Sequence, residues 1–80
     1  MMLTGKLFRL TERTLAVGVL HGQRRAVTIP AGAIFKVVPG LGDGQQTVDI
    51  LWEGRVLEIF TCDVNMRGTE IVASGRHGIV

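Results

Sequence analysis

The sequence predicts an all-β fold: one domain of five to six short antiparallel strands, with a single 3₁₀ or helical turn near residues 62–67. Val, Ile, Leu, Phe and Thr recur in short runs separated by glycines, a pattern typical of strands and tight turns. Helical periodicity is never sustained over several turns. Eighty residues suffice for one domain but not for two, so we assign residues 1–72 to that domain and the glycine-rich residues 73–80 to a flexible tail.

The N-terminal half of the sequence predicts three strands. Apolar residues alternate over residues 3–10, and residues 15–20 form an apolar run around Gly18, where we expect a bulge or bend. The polar residues 21–24 contain a glycine and are expected to turn the chain into a strand over residues 25–29.

A proline and glycines separate this half from the next strand. Pro30 and Gly32 end the third strand, because proline lacks a ladder donor and glycine adopts positive φ. Residues 33–38 predict a fourth strand. Residues 39–44 hold a proline and three glycines, and they predict a loop in which we expect mobility to concentrate.

The clearest predicted element is a hairpin formed by residues 47–52 and 55–60, with Glu53 and Gly54 as a two-residue turn. This turn places residue 52 opposite 55 and residue 49 opposite 58. The face predicted to lie in the core comprises Val48, Ile50, Trp52, Leu57 and Ile59, with Arg55 at its end. The other face, which comprises Asp49, Leu51, Glu53, Val56, Glu58 and Phe60, suits partial exposure or an interface.

A short helical turn and a last strand follow the hairpin. Thr61 is a possible N-cap, Asp63 lies early and Arg67 late, and Gly68 ends the segment, as expected for one helical turn. Residues 69–72 predict the closing strand.

This order of elements resembles the SH3-like barrel, in which a hairpin is followed by one 3₁₀ turn and a closing strand. The resemblance covers most of residues 25–72 and implies a small closed barrel. The segments VTIPAGAIFKV and VDILWEGRVLEIF, followed by a short turn, also resemble small uncharacterised bacterial proteins of similar length, a likeness that implies no function. Peptide-binding SH3 domains grip polyproline with a band of Tyr and Trp, whereas this chain has no tyrosine and only Trp52, so polyproline binding is not expected.

Composition narrows the classes of function. The net charge is +2, spread without a block of like charge, which is too mild to imply nucleic acid by itself. No apolar run approaches the roughly 20 residues of a membrane span, and the N-terminus lacks the pattern of a signal peptide. We therefore expect a cytoplasmic protein with no membrane partner.

Cysteine and histidine usage argues against cofactors and catalysis. Cys62 is the only cysteine, and His21 and His77 lie far from it without metal-ligand spacing, so neither a disulfide within the chain nor a zinc site is expected. Cys62 at the start of a helical turn would need a base to act as a nucleophile, and both histidines are displaced. The sequence predicts no metal, no cofactor and no enzyme activity.

Asp49 and Glu58 form the first candidate site, since the hairpin register sets them opposite each other. Opposed like charges destabilise a sheet. They could receive a cation or a basic partner segment, or form a carboxylate pair of raised pKa. We favour two solvated carboxylates, neutralised by Lys36 or an arginine.

Trp52 and Arg55 form the second candidate site, because they permit a cation–π contact and are residue types common at interface hot spots. The favoured alternative is a core tryptophan at the end of the barrel. Arg24 and Arg25 belong to a third candidate, a basic stripe that could follow a phosphate backbone. The other members of this stripe are Lys6, Arg9, Arg13, Lys36, Arg55, Arg67 and Arg76. We favour a solvated surface with interspersed acids there, and core positions for Phe8, Phe35 and Phe60.

The function predicted from these observations is a non-catalytic binding or homo-oligomeric assembly module that acts through a barrel face or strand edge. A domain of this size buries only about 60% of its unfolded surface, so self-association is the expected source of extra stability. The expected partner is another copy or another protein. The alternative is a nucleic-acid-binding barrel that uses dispersed arginines, and a third possibility is a small enzyme whose site forms between subunits.

Overall fold

The fold is an antiparallel sheet of seven strands with one short helix. A computed structural model describes residues 3–40 and 46–72. The elements in chain order are β1 (Leu7–Leu10), β2 (Thr14–Leu20), β3 (Gln23–Ile29), β4 (Ile34–Val38), β5 (Thr47–Trp52), β6 (Arg55–Phe60), α1 (Thr61–Arg67) and β7 (Gly68–Ile71). The all-β prediction is confirmed, with a seventh strand beyond the five to six expected.

The strands form one open sheet in the order β3-β2-β6-β5-β4-β1-β7. Every pairing is antiparallel. The expected closed barrel is wrong, because β3 and β7 lie at opposite edges and do not pair with each other among the described residues. The sheet therefore keeps two edges.

The first strand is shorter than predicted because the chain turns before it. Gly5 has φ of 89°, and the Lys6 N–H donates to the Leu3 carbonyl at 3.0 Å, which makes a turn over residues 3–6. Leu3 nevertheless lies in the core. Strand pairing begins only at Leu7, which faces Lys36 of β4 and Ile71 of β7.

The β2–β3 hairpin has a tighter turn than the polar segment suggested. His21 and Gly22 both have positive φ, 52° and 76°, which is the geometry of a two-residue type I′ turn. Because two residues complete the turn, β3 begins at Gln23 and includes Arg24, which was predicted to lie in the turn.

The predicted bulge at Gly18 is absent from the β2–β3 ladder, which runs without interruption from Thr14 opposite Ile29 to Leu20 opposite Gln23. Gly18 serves a packing contact instead. A Cβ at this position would lie 2.8 Å from Cδ2 of Leu57 on β6. Glycine lets the two strands approach over the buried leucine.

The β5–β6 hairpin has the predicted register throughout, from Thr47 opposite Phe60 to Trp52 opposite Arg55. Its turn residues Glu53 and Gly54 have φ of 50° and 77°, again a type I′ turn. The predicted core face is confirmed, with Ile50, Leu57 and Ile59 buried and with Val48 and Trp52 packed against the core.

The core lies on one side of the sheet and includes α1. Its buried apolar members are Leu3, Phe8, Leu10, Ala16, Ile29, Phe35, Val37, Ile50, Leu57, Ile59 and Val64.

The helix spans residues 61–67, close to the predicted turn. It starts at Thr61 with Phe60 at the N-cap position, so the predicted threonine cap is wrong. Gly68 has extended backbone and opens β7. A Cβ there would lie 2.6 Å from the Val64 carbonyl, so close packing requires the glycine.

Two predicted features lie outside the described residues: most of the loop at 39–44, since residues 41–45 are not described, and the tail 73–80 with His77. Within residues 3–40 and 46–72, no helix has the length and apolar character to cross a membrane.

Candidate functional site

The candidate site is the side of the sheet that faces away from the core, where β2, β5 and β6 expose large apolar side chains. We call this surface the outer face and define it by Leu15, Val19, Leu51, Val56 and Phe60, all of which are exposed. The alternation of side chains along a strand explains this exposure, since the neighbouring residues of the same strands point into the core: Ala16, Ile50, Leu57 and Ile59. The outer face therefore presents apolar side chains to solvent.

The three phenylalanines lie in two different environments. Phe8 and Phe35 are core residues, as expected, and their rings stack at 5.8 Å between centroids. The two expectations for Phe60 differed: its apolar run placed it in the core, whereas the alternation of the hairpin placed it on the partly exposed face. Its exposed fraction of 56% confirms the second expectation. It ends β6 on the outer face, opposite Thr47.

A weakly paired seam crosses the outer face between β2 and β6. These strands share one ladder pair, Val17 opposite Glu58. Continuing that register places Leu15 beside Phe60 and Val19 beside Val56. The apolar residues of the two strands thus form one continuous surface.

Three cavities lie along this seam. One of about 520 Å³ lies at the end nearest α1, where Leu15 and Phe60 form apolar walls beside Arg13 and Arg67. One of about 270 Å³ lies at the centre, lined mainly by apolar atoms, with Glu58 among its polar groups. A third of about 430 Å³ lies at the other end. The exposure of the β2 side chains on this surface was not predicted, because an apolar run without alternation does not show which side chains are exposed.

A polar cluster occupies the centre of the outer face. Arg24 Nη2 donates to Glu58 Oε1 at 2.8 Å, and Thr47 Oγ1 donates to Glu58 Oε2 at 2.6 Å. The Thr47 hydrogen bond and then the Arg24 hydrogen bond outweigh partial burial and hold the pKa of Glu58 below its ordinary value. Glu58 is therefore an ionised carboxylate with both oxygens satisfied.

Asp49 lies opposite Glu58 across the hairpin, as predicted, but the two carboxylates contact different groups. Glu58 bonds to Arg24 and Thr47, whereas the Asp49 carboxylate fills the space above Gly40 where a side chain would otherwise lie. The lowered pKa of Glu58 is opposite to the raised value that a proton-sharing pair requires. The structure thus gives Glu58 an arginine partner, Arg24 and not Lys36.

Trp52 and Arg55 meet at the turn end of the β5–β6 hairpin. The Arg55 guanidinium carbon lies 5.7 Å from the Trp52 ring centroid, within cation–π range. Trp52 is half-buried and packs against the core, so this pair lies on the side of the hairpin away from the outer face. The pair has the geometry of a covered core tryptophan.

Arg24 and Arg25 do not converge on one site. Arg24 lies on the outer face, whereas Arg25 lies on the opposite side of β3 and donates to Gln23 at 3.2 Å. Other cations of the predicted basic stripe also have acidic neighbours: Arg67 lies 3.8 Å from Asp63, and Lys6 lies 3.7 Å from Glu70. Acids are therefore interspersed among these cations.

The remaining sequence candidates are separated in space. Cys62 is exposed on α1, and His21 is in the β2–β3 turn. Across the residues that the structure describes, no group of three or more His, Cys, Asp or Glu side chains is arranged to hold a metal ion.

Comparison with known proteins gives no match: no family model matches the sequence, and no curated protein or solved structure is detectably similar to it. The function of the chain is therefore inferred from the geometry of the outer face and of the sheet edges.

Proposed function

We propose that this chain is a non-catalytic assembly module that binds copies of itself through the outer face. The observation that carries the proposal is the exposure of Leu15, Val19, Val56 and Phe60, at 61%, 68%, 58% and 56%, as neighbours across one seam. Scattered exposed apolar residues are ordinary on protein surfaces, but a continuous patch marks an interaction surface.

The size of the patch is compatible with association. Its side chains are 56–68% exposed, and the largest apolar patch of a monomer, which is often functional, covers about 300–600 Å². A stable interface buries about 800 Å² per partner, which the patch and its polar surroundings can supply together. Antiparallel sheets also pack well face to face, with side chains interdigitated.

The charges on the outer face support a second copy as the partner. Arg24 and Glu58 neutralise each other at the centre of the patch. This pair therefore adds no net charge to a contact between two identical faces. The lowered pKa of Glu58 argues only against this residue as a general acid, which needs a raised pKa.

The relationship to SH3-like folds and the cellular setting are part of the same proposal. The order β5, β6, α1, β7 supports an SH3-like relationship without barrel closure. A cytoplasmic, bacterial setting stays a prediction.

Sedimentation velocity tests the proposal, with matched charge substitutions. Val56→Glu places a carboxylate on the outer face, whereas Met66→Glu places one on α1, where Met66 is 82% exposed. We expect the unaltered chain and Met66→Glu to associate at micromolar concentration and Val56→Glu to associate at least tenfold more weakly, with an unchanged circular dichroism spectrum. An unaltered chain that stays monomeric at several hundred micromolar would overturn the proposal, as would equal association of the two variants.

A second candidate function, single-strand nucleic-acid binding, is favoured by one observation. The exposed ring of Phe60 lies beside Arg13 and Arg67 at the largest of the seam cavities, and stacking on an aromatic ring combined with cationic contacts is how single strands are bound. This candidate predicts binding of a labelled oligothymidine that weakens steeply with salt. A flat salt response, or no binding at low salt, rejects it.

A further inference from the structure

The open edge at β3 is suited to pairing with another strand. β3 has seven residues and is exposed along most of its length, and among the residues that the structure describes it pairs only with β2. Its ladder is regular, and it contains no proline or bulge of the kind that protects sheet edges. The other edge, β7, is four residues long and carries Glu70 beside Lys6. A long regular edge is the better template for strand addition.

The β2–β3 turn determines which backbone groups of β3 face outward. A two-residue turn closes on a hydrogen-bonded pair, here Leu20 and Gln23, and hydrogen-bonded pairs then alternate along the ladder. The residues between them direct their N–H and C=O groups away from β2. These residues are Arg24, Ala26 and Thr28.

We propose that β3 pairs antiparallel with β3 of a second copy, with Ala26 opposite Ala26. This inference rests on the proposed function, since both require self-association, and it adds a second contact that uses an edge instead of a face. In this register Arg24, Ala26 and Thr28 lie opposite Thr28, Ala26 and Arg24 of the second copy. The outward N–H and C=O groups of both strands then meet, so all three cross-strand pairs are of the hydrogen-bonded type. The edge contact would join two sheets into one.

Symmetry restricts the possible registers. A two-fold axis perpendicular to the sheet keeps the two faces distinct, so a residue can oppose only one on the same side of the strand. The registers centred on Arg24 or Arg25 place like charges directly opposite each other, which is unfavourable. The register centred on Val27 sets Arg24 opposite Pro30, which has no N–H.

The register centred on Ala26 avoids both problems. Arg24 then faces Thr28 of the second copy, and Arg25 faces Val27 of the second copy. All seven residues of β3 are paired, and no arginine opposes another. Charge and hydrogen-bond pattern thus select the same register.

Cysteine cross-linking tests the register in the full chain, with Cys62→Ser to remove the native thiol. Ala26→Cys sets two thiols on residues about 5.5 Å apart between Cα atoms, within disulfide range. Thr28→Cys, on the same side of the same strand, sets them about 13 Å apart along the strand. On mild oxidation with copper phenanthroline, we expect Ala26→Cys to form a covalent dimer at least ten times faster than Thr28→Cys.

A mixture of the Arg24→Cys and Thr28→Cys chains provides a second readout, because these positions face each other in the proposed register. We expect the mixed disulfide to exceed either homodimer. Equal cross-linking of Ala26→Cys and Thr28→Cys would overturn the register, and so would a Thr28→Cys homodimer that forms faster.

Sedimentation of the Cys62→Ser chain separates the two proposals. If it is monomeric at several hundred micromolar, both fail. If it associates but shows no preference for Ala26→Cys, only edge pairing fails. Adding Val56→Glu to Ala26→Cys should leave the cross-link intact, since the edge does not use Val56, and loss of the cross-link there would contradict edge pairing as a separate contact.

Discussion

The close contact between Gly18 and Leu57 predicts that a single added methyl group destabilises this domain. A Cβ at residue 18 would lie 2.8 Å from Leu57 Cδ2, whereas carbon atoms pack at about 3.5–4.0 Å, so the leucine would have to retreat by about 1 Å. Leu57 is only 3% exposed and packs in the core, so its displacement would disturb the packing of its neighbours. Overpacking of this kind costs about 1–3 kcal/mol.

The backbone effect has the opposite sign. Gly18 has no positive φ, so alanine is allowed there and should gain about 0.4–1 kcal/mol from a less flexible unfolded chain. The net expectation for Gly18→Ala is a loss of about 1–2 kcal/mol in the free energy of unfolding. For a domain of this size each kcal/mol lowers Tm by about 4–8 °C.

Leu57→Val provides the matched background, because it shortens the side chain that the new methyl would meet. Alone it should cost on the order of 1 kcal/mol. In that background Gly18→Ala should be neutral or stabilising, which gives a coupling of about 1–2 kcal/mol between the two sites. Urea unfolding followed by the fluorescence of Trp52 at one fixed protein concentration measures all four chains, since association would otherwise shift apparent stability. An equal effect of Gly18→Ala in both backgrounds would refute the contact as the reason for this glycine.

Three further predictions concern the candidate residues and the hairpin turn. Glu58 has a lower pKa in the folded chain than in the unfolded chain, so its ionised form stabilises the fold above about pH 4.3, and this contribution disappears as pH falls through the folded pKa. Glu58→Gln should therefore flatten the acid limb of stability by under about 1 kcal/mol, and Thr47→Val should flatten it partly; an unchanged limb in both would contradict the cluster. Gly54→Ala should cost about 1–2 kcal/mol in thermal unfolding because φ there is 77°, and a neutral effect would contradict the turn geometry. Arg55→Ala should cost about 0.5–1 kcal/mol and change the emission of Trp52, while Arg55→Lys should keep part of both; identical spectra for all three chains would exclude the stacked contact.

Local patterns predicted the parts of the fold that local physics determines. The β5–β6 register followed from the turn Glu53-Gly54 and from strict alternation, since a one-residue slip would turn Ile50 and Leu57 to solvent. The position of the helix followed from its flanking residues. The prediction that Asp49 opposes Glu58 was correct for the same reason.

Contacts distant in sequence determine what the patterns missed. A bulge was predicted at Gly18 because no pattern within β2 indicates that Leu57 of β6 packs against this position. For Phe60 the alternation of the hairpin gave the correct, solvent side, whereas its apolar character alone gave the core. The partner of Glu58 is Arg24 of β3, and no local spacing relates the two. Whether the edges of a sheet meet is likewise a property of the whole chain, so the open sheet could not be predicted from the sequence.

The place of β1 in the sheet has a consequence for protein synthesis. β1 lies between β4 and β7, so this strand, which is synthesised before the others of the described sheet, has no sheet partner until β4 follows, and its second partner is β7. The hairpins β2–β3 and β5–β6 can form from neighbouring segments as they emerge, whereas the β1–β7 ladder requires nearly the whole domain. During translation Phe8 and Leu10, which are buried in the folded domain, therefore stay exposed to solvent until the strands that cover them have been made.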